Sequence, residues 1–385
     1  MSWRLALDSA WQRAVAARES DGQRRRAEAD RAVAGSFWAA PPSLQLSHRD
    51  DRLHGNTGRR ETEIGVAVGL WLPGQRAARA GTADAAAVQA LAAEQVARLR
   101  LAGELREAAW QRAALQAEAA QAESQTNALK LLADDVERRV RAGDLARADA
   151  LAAQAEHLAA AALLFDARQR LQAAGVHWWL LTGLSATPDL TAAPDLSAAA
   201  GEDAAPGSAP PHPELQLAIQ STDLARKRVV LMRRSRRDAP ELSVGLRQDV
   251  PGRAEASQGS LVVGLRLPFG TEGLNRPMEV IALSELDVAE THELRLRERL
   301  DSGISAARDA QRSAEAQLEA ETRRARLLHE RASLIDKSFR AGETPLPDLL
   351  RALAAAAQAG SAAARQTAAL GLARARLQQS LGLLP

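Results

Sequence analysis

The chain has 385 residues with no Cys and no Tyr, and its 50 basic and 48 acidic side chains leave a formal net charge of +2. Lack of Cys excludes disulfides, thiolate metal sites, Cys nucleophiles and a lipidated cysteine within this sequence, and the balanced charge gives no global argument for nucleic acid. Aromatic residues make up 3% and hydrophobic residues 46%, much of it Ala, which is the composition of long helices.

No apolar run approaches the roughly 18 residues of a transmembrane helix; the best, Leu158 to Phe165, is short and mostly Ala. At the start, Met1-Ser2-Trp3-Arg4 leads directly into Leu5-Ala6-Leu7-Asp8, where a signal peptide needs about 7–15 apolar residues. The expectation is that the chain is intracellular or that its export signal lies outside this sequence.

In chain order, residues 4 to about 35 read as a helix, with Leu5, Ala6, Ala10, Val15 and Ala16 among charges. The period then changes. Leu44 and Leu46 alternate with Ser43, Gln45 and Ser47. After Asp50-Asp51 and Gly55-Asn56-Thr57-Gly58, the residues Ile64, Val66, Val68, Leu70 and Leu72 fall on one face, with Gly65, Ala67, Gly69 and Trp71 on the other. This period-2 pattern predicts a hairpin with one strongly apolar face, ended by Pro73-Gly74. From Gln75 to about Val140 the pattern is helical and nearly free of breakers. About 65 residues of helix would span roughly 100 Å, too long for a globular helix and suggestive of a coiled-coil-like partner. A helix tip follows at Gly143, then a return helix from Asp144 to about Leu181.

Residues 185–213, rich in Pro, Ala, Ser, Gly and Asp, read as a linker. The order then repeats. A helix is expected over Glu214 to about Arg237. Leu242, Val244 and Leu246 alternate with Ser243, Gly245 and Arg247; Leu261, Val263, Leu265 and Leu267 alternate with Val262, Gly264 and Arg266. A long helix from about Pro277 to Phe339 carries Leu300, Ile304, Ala307, Ala314, Leu318, Ala325, Leu328, Ala332 and Ile335 at steps near 3.5, the coiled-coil spacing, interrupted by Gln311 and Glu321. It ends at a second tip.

The tips are copies. Arg141-Ala142-Gly143-Asp144 and Asp149-Ala150-Leu151 match Arg340-Ala341-Gly342-Glu343 and Asp348-Leu349-Leu350 at an offset of 199 positions (342 − 143), and Gly183 and Gly382 keep that offset. One offset held over about 40 positions means two copies of one unit: residues 1–184 and 214–385, joined by the linker. Gly after the last helical residue is the usual left-handed stop, and the acids beyond it suit the start of the return helix.

The hairpins have two readings. They are ordinary amphipathic strands packed on a core, or their apolar faces meet lipid. Few apolar segments remain to build that core, and two hairpins leave edges that call for partners. Apolar and small-or-polar residues alternating over about 10 positions mark outer-membrane strands, which must close into a barrel. Four strands are too few; three chains give twelve.

The strand-end Val-Gly-Leu-x-Leu-Pro (Val68 to Pro73, Val263 to Pro268) and the tip Gly-(Asp/Glu)-x4-Asp-x-Leu resemble the TolC family of trimeric outer-membrane efflux channels, over nearly the whole chain. Ser338-Phe339-Arg340-Ala341-Gly342-Glu343 with Asp348-Leu349-Leu350-Arg351-Ala352 is most similar to its heavy-metal (cation) efflux branch. The resemblance implies a mainly α chain with a membrane β-barrel: a long α-helical coiled-coil barrel plus four strands per chain, closing as a twelve-stranded barrel in a homotrimer. It implies a passive exit duct for an inner-membrane pump coupled through a periplasmic adaptor, in the outer membrane with its helices in the periplasm. The family carries a signal peptide, so this chain is expected to start at the mature domain.

On that reading Leu44, Leu46, Ile64, Val66, Val68, Leu70, Leu242, Val244, Leu246, Leu261, Val263 and Leu265 face lipid. Gly65, Gly69, Gly245, Arg247, Gly264 and Arg266 face the lumen. Gly143, Asp144, Asp149, Gly342, Glu343 and Asp348 form the periplasmic aperture and adaptor site, and six such tips in a trimer would concentrate negative charge. The same acids also serve as simple helix-start residues. Arg24-Arg25-Arg26 and Arg233-Arg234-Ser235-Arg236-Arg237 read as solvated helix-end charges or as arginines snorkelling at the inner membrane interface; as nucleic-acid patches they lack interleaved aromatics. The seven His form no i,i+4 pair, and neither a resident metal nor a cofactor is expected. No catalytic set stands out, so an enzyme is not expected. The rival reading is a periplasmic adaptor or coiled-coil scaffold, since adaptors also join long helical hairpins to β structure. Cargo stays open between metal cations and other small molecules.

Overall fold

The structure, a computed structural model, describes residues 1–53, 55–190 and 212–385. His54 and most of the 185–213 linker therefore lie outside the described residues. The elements run α1 (Trp3–Arg13), α2 (Val15–Gly35), β1 (Ala40–Asp50), β2 (Arg60–Gly69), α3 (Gln75–Ala142), α4 (Arg147–Thr182), α5 (Pro213–Arg234), β3 (Glu241–Val250), β4 (Gln258–Arg266), α6 (Glu272–Arg340) and α7 (Leu346–Ser380).

Three boundaries differ from the sequence reading. The first helix breaks at Ala14, which is extended (φ −69°, ψ 137°). No Gly or Pro marks the break. Burial differs on its two sides: α1 buries Ala6, Leu7 and Ala10, and α2 buries Ala27 and Ala34. The second long helix begins at Glu272 rather than Pro277, with Pro277 inside it. As the sixth residue of α6, Pro277 removes the bond that an amide there would make to the Gly273 carbonyl, and the helix runs through it. The return helices start at Arg147 and Leu346, three residues past Asp144 and Glu343.

The chain packs as two units, each drawing on both halves of the sequence. The first comprises residues 1–17, 95–213 and 298–385; the second comprises 18–94 and 214–297.

In the first unit the core is built mostly of Ala and Leu. Ala6, Leu7 and Ala10 of α1 meet Ala102, Leu105, Ala108 and Ala109 of α3 around the buried Trp178 of α4. The Trp178 indole N–H donates to the Ala186 carbonyl at 3.0 Å, so the polar edge of the one large side chain is satisfied. Along α6, Leu300, Ile304, Ala307, Ala314, Leu318, Ala325, Leu328, Ala332 and Ile335 are all partly or fully buried, and so are Gln311 and Glu321. The seam expected from the near-3.5 spacing is therefore continuous through its two polar positions. Alanine methyls bury little area each, about 0.8 kcal/mol per methylene-sized group, but they let helix backbones approach closely.

In the second unit α2 meets α3 through Arg31–Asp84 (3.1 Å), α3 meets α5 through Gln89–Ser221 (3.1 Å), and α5 meets α6 through Thr222 and the Ala289 carbonyl (3.4 Å). The unit also holds one four-stranded antiparallel sheet in sequence order, β1-β2-β3-β4. The two hairpins are thus joined by β2–β3 pairing, and β1 and β4 are its edges.

Candidate functional site

The sheet has two chemically distinct faces, and its register makes each continuous. Leu44, Val66, Val244 and Val263 are directly cross-strand from one another; so are Leu46, Ile64, Leu246 and Leu261, and so are Val68, Leu242 and Leu265. Two rows of aliphatic side chains therefore cross all four strands on one face, and a third crosses β2, β3 and β4. They are uncovered: Leu44 is 72% exposed and Val263 62%. At the far end the same face turns polar, where His48 Nδ1 lies 2.9 Å from Thr62 Oγ1.

The other face carries the small and polar set. Gly65 pairs with Gly245 and Ser243 with Gly264, while Gly69, Glu241 and Arg266 share a row. A Cβ on Gly245 would stand 2.8 Å from the Ile64 carbonyl oxygen and 3.0 Å from the Gly65 Cα. Glycine is needed there because the β2 backbone comes so close, and on the same face Ala67 is only 2% exposed. The charges on this face pair across strands: Arg247 with Glu61 at 2.6 Å and Arg266 with Glu241 at 3.8 Å.

The strands end earlier than the alternation predicts: Trp71, Leu72 and Leu267 fall outside, and so does Leu70, expected to face lipid. Leu70 follows the end of β2 at Gly69. Its N–H still donates to the Pro240 carbonyl at 2.7 Å, but proline has no N–H to return the bond, so the ladder stops there.

The two loops at the far end of the sheet lock together, which the sequence reading did not anticipate. The Asp51 carboxylate accepts the Thr57 hydroxyl (2.5 Å), the Thr57 N–H (2.7 Å) and the Gly58 N–H (3.2 Å). The Thr57 hydroxyl bond, helped by the backbone donors, holds the Asp51 carboxyl below its ordinary range. Arg253, in the other hairpin loop, donates its backbone N–H to Thr57 O at 2.9 Å and its guanidinium to Asn56 Oδ1 at 3.0 Å.

In the first unit, the tips close as two copies of one turn. Gly143 (φ 88°) and Gly342 (φ 81°) are left-handed. Gly143 N–H donates to Val140 O at 3.0 Å and Asp144 N–H to Arg139 O at 2.9 Å; Gly342 N–H donates to Phe339 O and Glu343 N–H to Ser338 O, both at 3.0 Å. This paired pattern is the Schellman stop. It places Asp144 and Glu343 in the turn itself, as exposed side chains. Asp149 and Asp348 do lie in the first turns of α4 and α7.

The copies diverge at one position. Asp149 accepts the Ala146 N–H at 3.2 Å. The equivalent of Ala146 is Pro345, which has no N–H, and Asp348 turns instead to Arg351. Both tips share one core, in which Val136, Ala150 and Ala153 pack with Phe339, Leu346 and Leu349, and the Arg139 guanidinium stands 5.0 Å from the Phe339 ring centre.

Basic side chains are interspersed with the acids around both tips. Residues 134–149 hold five acidic and four basic side chains, and 335–351 hold three of each. Asp135 pairs with Arg138 at 2.9 Å and Asp336 with Arg340 at 3.0 Å.

Sequence reasoning also missed Arg106, which is 3% exposed. Burial pushes its guanidinium down to about 10. It donates to Gln379 Oε1 at 2.7 Å and to the Leu383 carbonyl at 2.8 Å, tying α3 to the end of α7. The available signal was its place on the helix stripe that holds Leu99, Ala102 and Leu105.

Among the described residues no group of three or more His, Asp or Glu is placed to hold a metal ion, and no helix is long and apolar enough to cross a membrane.

No protein-family model and no curated protein matches the sequence. Solved structures do. The outer membrane protein VceC from Vibrio cholerae is 14% identical, with a TM-score of 0.78 over 99% of this chain and 96% of that one. The outer-membrane channel OprN is 19% identical, with a TM-score of 0.77 over 99% of this chain and 89% of its own. CusC, described in terms of folding and transmembrane channel formation, is 14% identical, with a TM-score of 0.77 over 99% of this chain and 92% of its own. The chain therefore has the fold of these channels, mainly helical with four antiparallel strands.

Proposed function

We propose that three copies of this chain close their sheets into a twelve-stranded barrel in the outer membrane, continued by helices in the periplasm, as a passive exit duct of a tripartite efflux system. The observation that carries this reading is the sheet. Its uncovered face has two aliphatic rows across all four strands and a third across three, its other face is small and polar, and β1 and β4 offer open edges. A lipid-exposed sheet needs every edge paired, and β1 of one copy against β4 of the next supplies the missing bonds. Fold likeness over 99% of the chain, sheet included, supports a channel over an adaptor or coiled-coil scaffold. Channels of this kind carry no chemistry of their own; the pump supplies the energy.

The repeats at 1–184 and 214–385 each supply one hairpin and one tip. The tips, with Gly143, Asp144, Asp149, Gly342, Glu343 and Asp348, form the periplasmic mouth and dock the adaptor. The second tip's likeness to the heavy-metal branch supports metal cations as cargo. Purified in detergent after export behind a signal peptide, the protein has the mass of three chains; a stable monomer in several detergents overturns the reading.

A further inference from the structure

We infer that the helix-facing end of the sheet is an arginine-and-aromatic collar that selects anionic phospholipid headgroups; this rests on the membrane-channel reading above. Four chain segments join helices to strands there: residues 31–39, 70–79, 233–240 and 266–276. They form one knot. Trp71 Nε1 donates to the Ser36 carbonyl (3.2 Å), Gln75 to Ser235 Oγ (3.0 Å), Arg76 to the Gly35 carbonyl (2.7 Å), and Asn275 to the Arg236 carbonyl (3.0 Å). The four segments hold nine arginines and two acids, Asp238 and Glu272, in a chain whose whole net charge is +2. The opposite end of the sheet, residues 50–60 and 250–258, holds four arginines and three acids. The excess of positive charge is thus concentrated at one end of the apolar rows.

Part of this charge is internally compensated. Arg233 and Arg236 share Glu279 at 3.3 and 2.9 Å, and Arg237 meets Glu272 at 2.8 Å. Arg234 and Arg276 remain exposed at the knot, whereas Arg266 is held by Glu241 on the small-and-polar face. Among them project apolar side chains with nothing over them in the second unit: Phe37 is 75% exposed, Phe269 94% and Leu274 80%. Arginine beside exposed aromatics, directly below an aliphatic band, matches the headgroup layer of a bilayer: rings lie at the acyl boundary and guanidinium groups meet phosphate. Guanidinium forks bind phosphate oxygens bidentately, and net positive charge favours headgroups that keep a net negative charge over zwitterionic ones.

The test uses the full chain reconstituted in phosphatidylcholine bilayers with trace spin-labelled phosphatidylglycerol or spin-labelled phosphatidylcholine. The motionally restricted fraction of each label gives relative association with the protein. The expected result is preference for phosphatidylglycerol, weakened by 0.5 M salt as roughly expected for a surface charge effect. R234Q/R276Q, which leaves the Glu279 and Glu272 pairs intact, lowers that preference by roughly ten-fold. R234K/R276K retains most of it, and R59Q at the opposite end leaves it unchanged. Equal association of both labels overturns the inference while leaving the channel reading standing. So does loss of the preference on adding millimolar inorganic phosphate, which would mark a simple anion site. Failure to enter bilayers of any composition overturns both.

Discussion

Trp110 of α3 packs the six-membered ring of its indole directly on the backbone of Gly371 in α7, so that any Cβ at Gly371 would overlap it. Glycine inside a helix ordinarily costs about 1 kcal/mol relative to alanine. Here that cost secures a close approach. Gly371→Ala is expected to destabilise the protein by about 1–3 kcal/mol of overpacking, less the helix gain, with recovery on adding Trp110→Leu. Thermal melting of the two variants decides it; a single variant that melts at or above wild type shows that the ring moves aside freely.

The faces of the sheet give a sharper test. Val263→Arg places a guanidinium among the aliphatic rows and is expected to cost about 2–4 kcal/mol if the position lies near mid-bilayer. Val262→Arg, one residue away on the opposite face, is expected to be far milder. The readout is the folded fraction recovered in lipid vesicles as a function of urea. Equal losses at the two positions would mean that the faces are assigned wrongly.

At the tips, Gly143 and Gly342 have open space around the missing Cβ, so only backbone strain opposes a side chain there. Gly342→Val is expected to loosen the turn by about 1–2 kcal/mol, leaving the protein trimeric and inserted. Together with charge reversal at Glu343 and Asp348, it is expected to reduce crosslinking of an adaptor to the tip and export in a resistance assay. Wild-type crosslinking and export in the reversed variant would reduce these acids to helix-start residues.

Asp51 provides a pH handle outside the strands. Its folded carboxyl is held below the ordinary carboxylate range, chiefly by the Thr57 hydroxyl. A depressed acid stabilises the folded loop above the unfolded value of about 4, and this contribution is lost as pH falls through the folded value. Hydrogen exchange at the Thr57 and Gly58 amides is expected to lose protection over that acid window. In Asp51→Asn the dependence should vanish; if it persists, another group controls the loop.

Periodicity made the strands, the α6 seam and the tip glycines legible, because each depends on neighbours within a few residues. What stayed hidden depends on distant partners. Nothing around Ala14 signals a break, and nothing around Gly371 points to Trp110, 261 positions earlier. The tip acids were visible, but that Asp348 pairs with Arg351 while Asp149 accepts the Ala146 N–H is a matter of side-chain geometry. Leu70 continued the alternation in sequence and lost its place only because Pro240, far along the chain, stands opposite.

The open edges of β1 and β4 also bear on the fate of an unassembled copy. Each edge keeps a row of amides and carbonyls that only water or another strand can satisfy, while the aliphatic rows beside them repel water. Neither solvent suits a lone chain: bilayer starves its edges, and the aqueous compartment exposes its grease. On the proposed channel reading, an orphan copy would be the species exposed to chaperones and proteases, and membrane entry would be a step that partners complete together.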